Sequence, residues 1–278
     1  MSCKTTPNHQ QLPKSGILAG NLDVDLPGWG SDCPETQMPD FQPPEIGDLI
    51  EGDAEYAPPR SSKRRNIRSS SRGTTLTPDD SGAANRAKVF AHVLTTVEVK
   101  SGKFIQTGCA PNFQGDCITL CTCMHRHRTW RKTWKGVWVA GFSGKVFGNQ
   151  LFYLMQVGQE TASQYNLWNS GYLPSLSAKS AALDVFGDIF EPLLGAASQP
   201  FNPSLYRIPH PNHVHMPTAW LTDICYGYPT PSKMQPKMLV GVPARSFLWS
   251  SPKYRYRGWQ HPRFKFYQSL RDFYNHLI

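Results

Sequence analysis

Between residues 87 and 158 the chain alternates short runs of β-branched and aromatic residues with Gly, Pro and Asn. "AKVFAHVLTTVEV" (residues 87–99) predicts a first strand, and "TGCAPNFQGD" (107–116) predicts the loop after it. "CITLCTCMHRHR" (117–128) predicts a second strand. Its odd positions carry Cys117, Cys121, Cys123, His125 and His127, and Ile118, Leu120, Thr122 and Met124 face the other way. Apolar or thiol side chains on both faces imply burial on both. "WKGVWVAGFSG" (134–144) and "NQLFYLMQVG" (149–158) predict two further strands joined by a Gly-containing loop. "TASQYNLWN" (161–169) predicts a short helix capped by Thr161, with Tyr165 and Trp168 three apart.

The remainder is less periodic. Leu183, Phe186, Ile189 and Phe190 have helical spacing interrupted by Gly187, and the Pro-rich residues 200–218 read as loop or edge. "KMLVGVPARSFLW" (237–249) predicts a strand interrupted at Pro243. Phe266, Leu270, Phe273 and Leu277 follow the spacing of an amphipathic helix that ends the chain. Five or so strands, few helices and no βαβ alternation exclude a Rossmann-type architecture. The expectation is an α+β fold, a small and strongly curved β-barrel with flanking helices.

Composition divides the chain. Residues 1–85 are rich in Pro, Ser, Asp and Gly and lack apolar periodicity. They hold ten acids from Asp23 to Glu55, with no Lys or Arg between Ser15 and Pro59. A basic block follows, with Arg60, Lys63, Arg64, Arg65, Arg68 and Arg72. So little apolar surface does not offset the entropy of ordering, and this part is expected to be a disordered tail, open to protein partners. Residues 86–278 form the expected globular domain, with 21 Lys or Arg against 8 Asp or Glu, a formal +13. Such a balance points to polyanions, nucleic acid first. No apolar run approaches about eighteen residues and "MSCKTTPNHQ" has no signal-like apolar core, so no membrane contact and a cytoplasmic location are expected. Seven cysteines, four of them between Cys109 and Cys123, do not form a secreted disulfide framework.

Three chemistries compete for the motifs. "HRH" (His125, His127) and "HVH" (His213, His215) offer metal ligands, to which Cys123 adds a thiolate. Alternating strand residues advance about 3.3 Å each and do not all converge on one ion, so buried core thiols are the favoured reading and no cofactor is expected. Cys123 with His213 and Asp223 offers a nucleophile, a base and an orienting acid. With no Gly-rich phosphate loop and few carboxylates, an enzyme is the weaker reading. The third reading rests on "RHRTWRKTWK" (126–135) and "KYRYRGWQHPRFKF" (253–266), which interleave cations with aromatics. Arg126, Arg128, Arg255, Arg257 and Lys265 are the candidate phosphate contacts, and aromatics stack on unpaired bases. Alternation on an ordinary strand produces the same interleaving.

"KGVWVAGFSGK" followed by "QLFYLMQV" resembles the core hairpin of the PUA-like superfamily, which includes the EVE, ASCH and YTH domains. More narrowly, the order of "APN" (110–112), "TLCTC" (119–123), "WVAGFSG", "LFYLMQV", Tyr165, Trp168, Tyr206, "HVH" and "MLVG…FLW" is similar to the nucleotide modification associated domain, type 2, of phage and bacterial DNA-modification loci. The likeness spans roughly residues 88–261. Two departures stand out: Met124 and His125 replace a Pro and a Lys, and Gly136 and Val137 replace a Gly-Asp. The resemblance implies a PUA-like barrel that binds nucleic acid or a nucleotide and reads a modified base in an aromatic pocket. It points to Asn112, Thr119, Trp138, Ser143, His213 and His215 as the base-binding set. The alternative it leaves open is a nucleotide-modifying or nucleotide-hydrolysing enzyme using Cys123 and the histidines.

Overall fold

Apolar side chains on both faces of one central sheet organise this protein. A computed structural model describes residues 46, 88–94, 97–100, 103–106, 110–113, 117–122, 124–170, 189–207, 219–249 and 252–278. Its strands are β1 (Val89–Val93), β2 (Val97–Lys100), β3 (Lys103–Gln106), β4 (Thr119–Leu120), β5 (Trp138–Phe142), β6 (Leu151–Thr161), β7 (Met238–Leu248) and β8 (Phe264–Tyr267). Among the described residues four short α-helices accompany them: α1 (His125–Arg128), α2 (Gln164–Trp168), α3 (Ala219–Ile224) and α4 (Leu270–Tyr274). Six strands form one curled mixed sheet in the order β4-β7-β6-β5-β1-β8, a half-barrel, while β2 and β3 pair as a separate hairpin. Among the described strands only β1 and β5 pair in parallel, with Val89 opposite Trp138 and Val93 opposite Phe142. The expected curved sheet with few helices is therefore present.

Alternation along each strand assigns its side chains to opposite faces. Phe90, Val139, Tyr153, Met155 and Leu239 pack on one face with Leu120 and Trp134. Val89, Ala91, Trp138, Ala140 and Leu154 pack on the other, with α4 supplying Leu270 and Phe273. Covering both faces explains why these strands read as near-continuous apolar runs. The long β6–β7 ladder curls through two register shifts. At one of them Met155 faces Ser246 and Val157 faces Gly241, so Val242–Arg245 have only Gln156 opposite. Pro243 sits in this excursion, where no ladder bond is asked of it, and β7 runs on to Leu248 instead of ending there.

Several expected elements take other forms. The first predicted strand is two, β1 and β2, and the helix at 164 is capped by Ser163, whose side chain accepts from the Asn166 amide, and not by Thr161, which closes β6. The C-terminal helix starts later than its spacing implies. Phe266 belongs to β8, paired with β1, and α4 begins after Ser269, whose hydroxyl accepts from the Asp272 amide. The predicted strand over 117–128 keeps only Thr119 and Leu120. Ile118 and Leu120 do face the opposite way from Cys117 and Cys121, which pack with Leu167, Ile189, Met238 and Val240. Met124 then takes a left-handed backbone, φ 60°, and the chain turns into α1.

Within the stretch expected to be tail, Ile46 is fully buried against Tyr254 and the α4 face of the sheet. Of residues 1–85 the structure describes Ile46, and that residue belongs to the core. The rest of residues 1–87, the predicted helical spacing at Leu183 and Phe186, and the Pro-rich residues 208–218 lie outside the described residues. Among the described residues no helix is long and apolar enough to cross a membrane.

Candidate nucleic-acid interface

Residues Lys253 to Arg257 lie along the edge of the structure in extended form. Arg255 bridges to Gln150 and Tyr256 to Leu277. Extended backbone sends alternate side chains opposite ways, so Lys253, Arg255 and Arg257 are exposed while Tyr254 and Tyr256 turn inward onto the α4 core. Interleaving in the sequence thus becomes separation in space. Phe264 and Phe266 also turn inward, beside Trp130. Of the five aromatics in this run only Trp259 is offered to solvent, at 82% exposure.

A built scaffold holds Trp259. The turn needs a glycine before it, because a Cβ on Gly258 would lie 2.5 Å from the Tyr256 ring. Asn149, itself in a left-handed conformation at φ 53° and 6% exposed, joins the turn to the loop after β5. Its Nδ2 donates to the Trp259 carbonyl at 3.2 Å, its Oδ1 accepts from the His261 amide at 3.4 Å, and its carbonyl accepts from the Tyr256 amide at 3.0 Å. His261 stacks on Phe142 with centroids 4.3 Å apart, and burial pushes its imidazole down to about 4, so it is neutral at physiological pH. From the same loop, Lys145 places its Nζ 3.8 Å from the centre of the Trp259 ring. Arg255, Arg257 and Arg263, near Trp259 in the chain, are exposed, and Arg257 donates to the Leu277 carbonyl at 3.3 Å.

The described members of the expected base-binding set, Asn112, Thr119, Trp138 and Ser143, lie below the surface. Trp138 is 1% exposed, stacked near Phe247 and with the Arg245 guanidinium 5.9 Å from its ring centre, so it has no face free for a base. Ser143 is fully buried. Its hydroxyl donates to the Phe147 carbonyl and accepts from the Gln150 amide, which commits it to shaping the loop that carries Lys145. Asn112 and Thr119 are fully buried and pair with each other through their backbones. The loop after β5 presents Lys145 and, across Asn149, Trp259. His213, His215 and Cys123 lie outside the described residues.

The candidate phosphate contacts divide in the same way. Arg126, Arg255 and Arg257 are exposed. Lys265 is half-buried with its ammonium against Tyr267 and Tyr256, at 4.8 and 5.4 Å from the ring centres. Arg128 is fully buried. Its guanidinium donates to the Cys121 carbonyl at 2.8 Å and to the Lys237 carbonyl, so it ties α1 to the start of β7 and does not reach a phosphate. In its segment Trp134 is core and Trp130 packs on His127 and Phe264.

The histidines of "HRH" diverge. Two residues apart they would share a strand face, but on a helix they are turned about 200° from each other. His125 Nε2 lies 2.9 Å from Asp223 Oδ1, beside Tyr226. His127 points back to Phe90, Trp130 and Phe264, and burial lowers its pKa to about 4. Among the described residues no three metal-ligating side chains gather. The described histidine that Asp223 meets is His125, whereas His213, the expected base, lies outside the described residues. Sequence reading passed over His92, whose Nε2 lies 2.5 Å from the Tyr153 hydroxyl in the core. It also passed over Asn149, for which the consecutive Gly148 and Asn149, both left-handed, were the available signal.

Comparison of the chain with protein-family models, with curated proteins and with solved structures finds no match.

Proposed function

We propose that the folded part binds nucleic acid or a nucleotide on the face of Trp259, Lys145, Arg255 and Arg257, and that it reads a modified base as a PUA-like domain of the nucleotide modification associated kind. The observation that carries the binding reading is the 82% exposure of Trp259 on a turn pinned by the buried Asn149. An indole held ready costs little further ordering when a base stacks on it, and a formal +13 over residues 86–278 supplies the phosphate attraction. The modified base comes from the sequence resemblance alone.

Fluorescence anisotropy with modified and unmodified single-stranded oligonucleotides, titrated with salt, tests the proposal. Trp259→Ala is expected to weaken binding by about 1–3 kcal/mol, the value of one stacked base. Arg255→Ala is expected to lower the salt slope by about 0.7–0.9 without changing preference among sequences. Equal affinity of wild type and Trp259→Ala for every oligonucleotide overturns the stacking site. Equal affinity of the wild type for modified and plain bases removes the base-reading half.

One contact favours a second reading, a nucleotide-modifying or nucleotide-hydrolysing enzyme. His125 meets Asp223 at 2.9 Å two residues after Cys123, the orienting pair that an activated thiol would need. Turnover of free nucleotides, lost in Asp223→Asn, would establish it; absence of turnover in the wild type ends it.

A further inference from the structure

Lys145 and Trp259 come from loops far apart in the chain, and one residue holds both. The Asn149 side chain donates to the Trp259 carbonyl, while its backbone amide donates to the Gly144 carbonyl at 3.3 Å. The turn between Gly144 and Asn149 closes on itself. The Phe147 amide donates to the Gly144 carbonyl at 2.9 Å and the Gly148 amide to the Lys145 carbonyl at 3.0 Å, with Gly148 left-handed at φ 82°. The side chain of Lys145 thus leaves a fixed point of the backbone, and its Nζ rests 3.8 Å from the centre of the indole. A ring 82% exposed with an ammonium over one face keeps its other face open.

The two faces of an indole are not independent. A bare indole attracts cations through its quadrupole, so a base with a fixed positive charge gains from stacking on it. Here Lys145 has already taken that attraction. A base in van der Waals contact lies about 3.5 Å beyond the ring, which puts its charge about 7 Å from the ammonium. This separation lies within a Debye length at physiological salt. Like charges that far apart lower affinity by about threefold in bulk water and about fiftyfold at the effective dielectric of a protein surface. A lysine that swings aside to relieve the repulsion gives up its own contact with the ring, so a cationic base is disfavoured by either route.

We propose that Lys145 is a specificity-determining residue, restricting the open face of Trp259 to neutral bases and turning away bases made permanently cationic by alkylation of a ring nitrogen. The inference rests on the reading of Trp259 as a base-stacking site. It narrows the substrate class to modifications that leave the base uncharged, such as substituents on a ring carbon. A cation that meets only phosphate acts on every base alike, whereas one lying behind the indole acts on the charge of the base itself.

Anisotropy on the full chain at neutral pH tests this with two single-stranded oligonucleotides that differ at one base. One carries 5-methylcytosine, which is neutral, and the other its isomer 3-methylcytosine, which is cationic. The readout is the ratio of the two affinities. Lys145→Met keeps the length of the side chain and removes its charge, and any loss of general phosphate attraction cancels in the ratio. Preference for the neutral isomer is expected to fall about fivefold in Lys145→Met and to stay at the wild-type value in Lys145→Arg. An unchanged ratio in Lys145→Met, with Trp259→Ala weakening both oligonucleotides, overturns the proposal and leaves the stacking site standing. If Trp259→Ala binds both as the wild type does, or the wild type binds neither, the stacking reading has failed and the proposal falls with it.

Discussion

Replacing Arg128 by Ala separates a guanidinium that braces the core from one that holds phosphate. The side chain has no exposed surface. Its two terminal nitrogens donate to the carbonyls of Cys121 and Lys237, which belong to segments far apart in sequence, and its own carbonyl accepts from the Trp134 indole at 3.1 Å. Hydrogen bonds to a charged group contribute about 1.5–3 kcal/mol each. Truncation removes two of them, strands two buried carbonyls and opens a cavity the length of an arginine. The recovered cost of burying the charge offsets part of this, and the loss of two charge-assisted hydrogen bonds with the packing of the side chain costs about 3–5 kcal/mol on balance. For a domain of this size each kcal/mol moves the melting midpoint by about 2–4 °C, so Arg128→Ala is expected to melt about 10 °C lower. Urea and thermal denaturation followed by circular dichroism measure the shift, with exposed Arg126→Ala as the companion. Arg126→Ala is expected to stay within about 0.5 kcal/mol of wild type and to lose oligonucleotide salt slope instead. A wild-type midpoint for Arg128→Ala together with a reduced salt slope would refute the buried placement and restore Arg128 to the phosphate contacts.

Three further outcomes are expected. Gly141→Ala would put a Cβ 2.0 Å from the ring of Tyr153, whose hydroxyl is held by His92, so it should destabilise by about 3 kcal/mol or more, while Gly144→Ala, with nothing within 4 Å, should be neutral; equal midpoints for the two would contradict the β5–β6 packing. Burial pushes His92 to about 3 and His127 and His261 to about 4, all below their unfolded value of about 6.5. All three are neutral in both states well above pH 6.5. Below it the unfolded chain takes up protons that the folded one refuses, so stability should fall between pH 7 and 5 by up to about 1.4 kcal/mol per unit for each histidine, and a flat profile in urea titrations would contradict their burial. Cys121→Ala should cost about 1–2 kcal/mol through lost packing with Leu167 and Met238, with metal analysis finding well under one zinc per chain; stoichiometric zinc that chelators remove would return the cysteines to metal chemistry.

The interface is the clearest case of a sequence signal with two meanings. Interleaved cations and aromatics over 253–266 were legible as a pattern, but the pattern is shared by a stacking surface and by an edge strand with one face in the core. For Tyr254, Tyr256, Phe264 and Phe266 the core reading holds, and for Trp259 the exposed one does. Nothing in the local spacing distinguishes them. The difference arises at Gly258 and Asn149, where the backbone leaves the extended line and a side chain from another loop fixes the turn.

Local chemistry determined the strands at the centre of the chain, the burial of Cys117 and Cys121, the apolar set of Leu270, Phe273 and Leu277, and the charge of the folded part. Each follows from side-chain type and near-neighbour spacing, which act before any distant contact forms. Tertiary structure decided what those properties face. Arg126 and Arg128 are the same residue type two positions apart, yet α1 turns one to solvent and the other onto the carbonyls of Cys121 and, more than a hundred residues later, Lys237. Ile46, in a stretch whose composition reads as unstructured, is buried because Tyr254 and α4 offer an apolar seat that exists only once the sheet has formed. Burial of an isolated apolar residue depends on the surface that receives it, and that surface is not written near it in the chain.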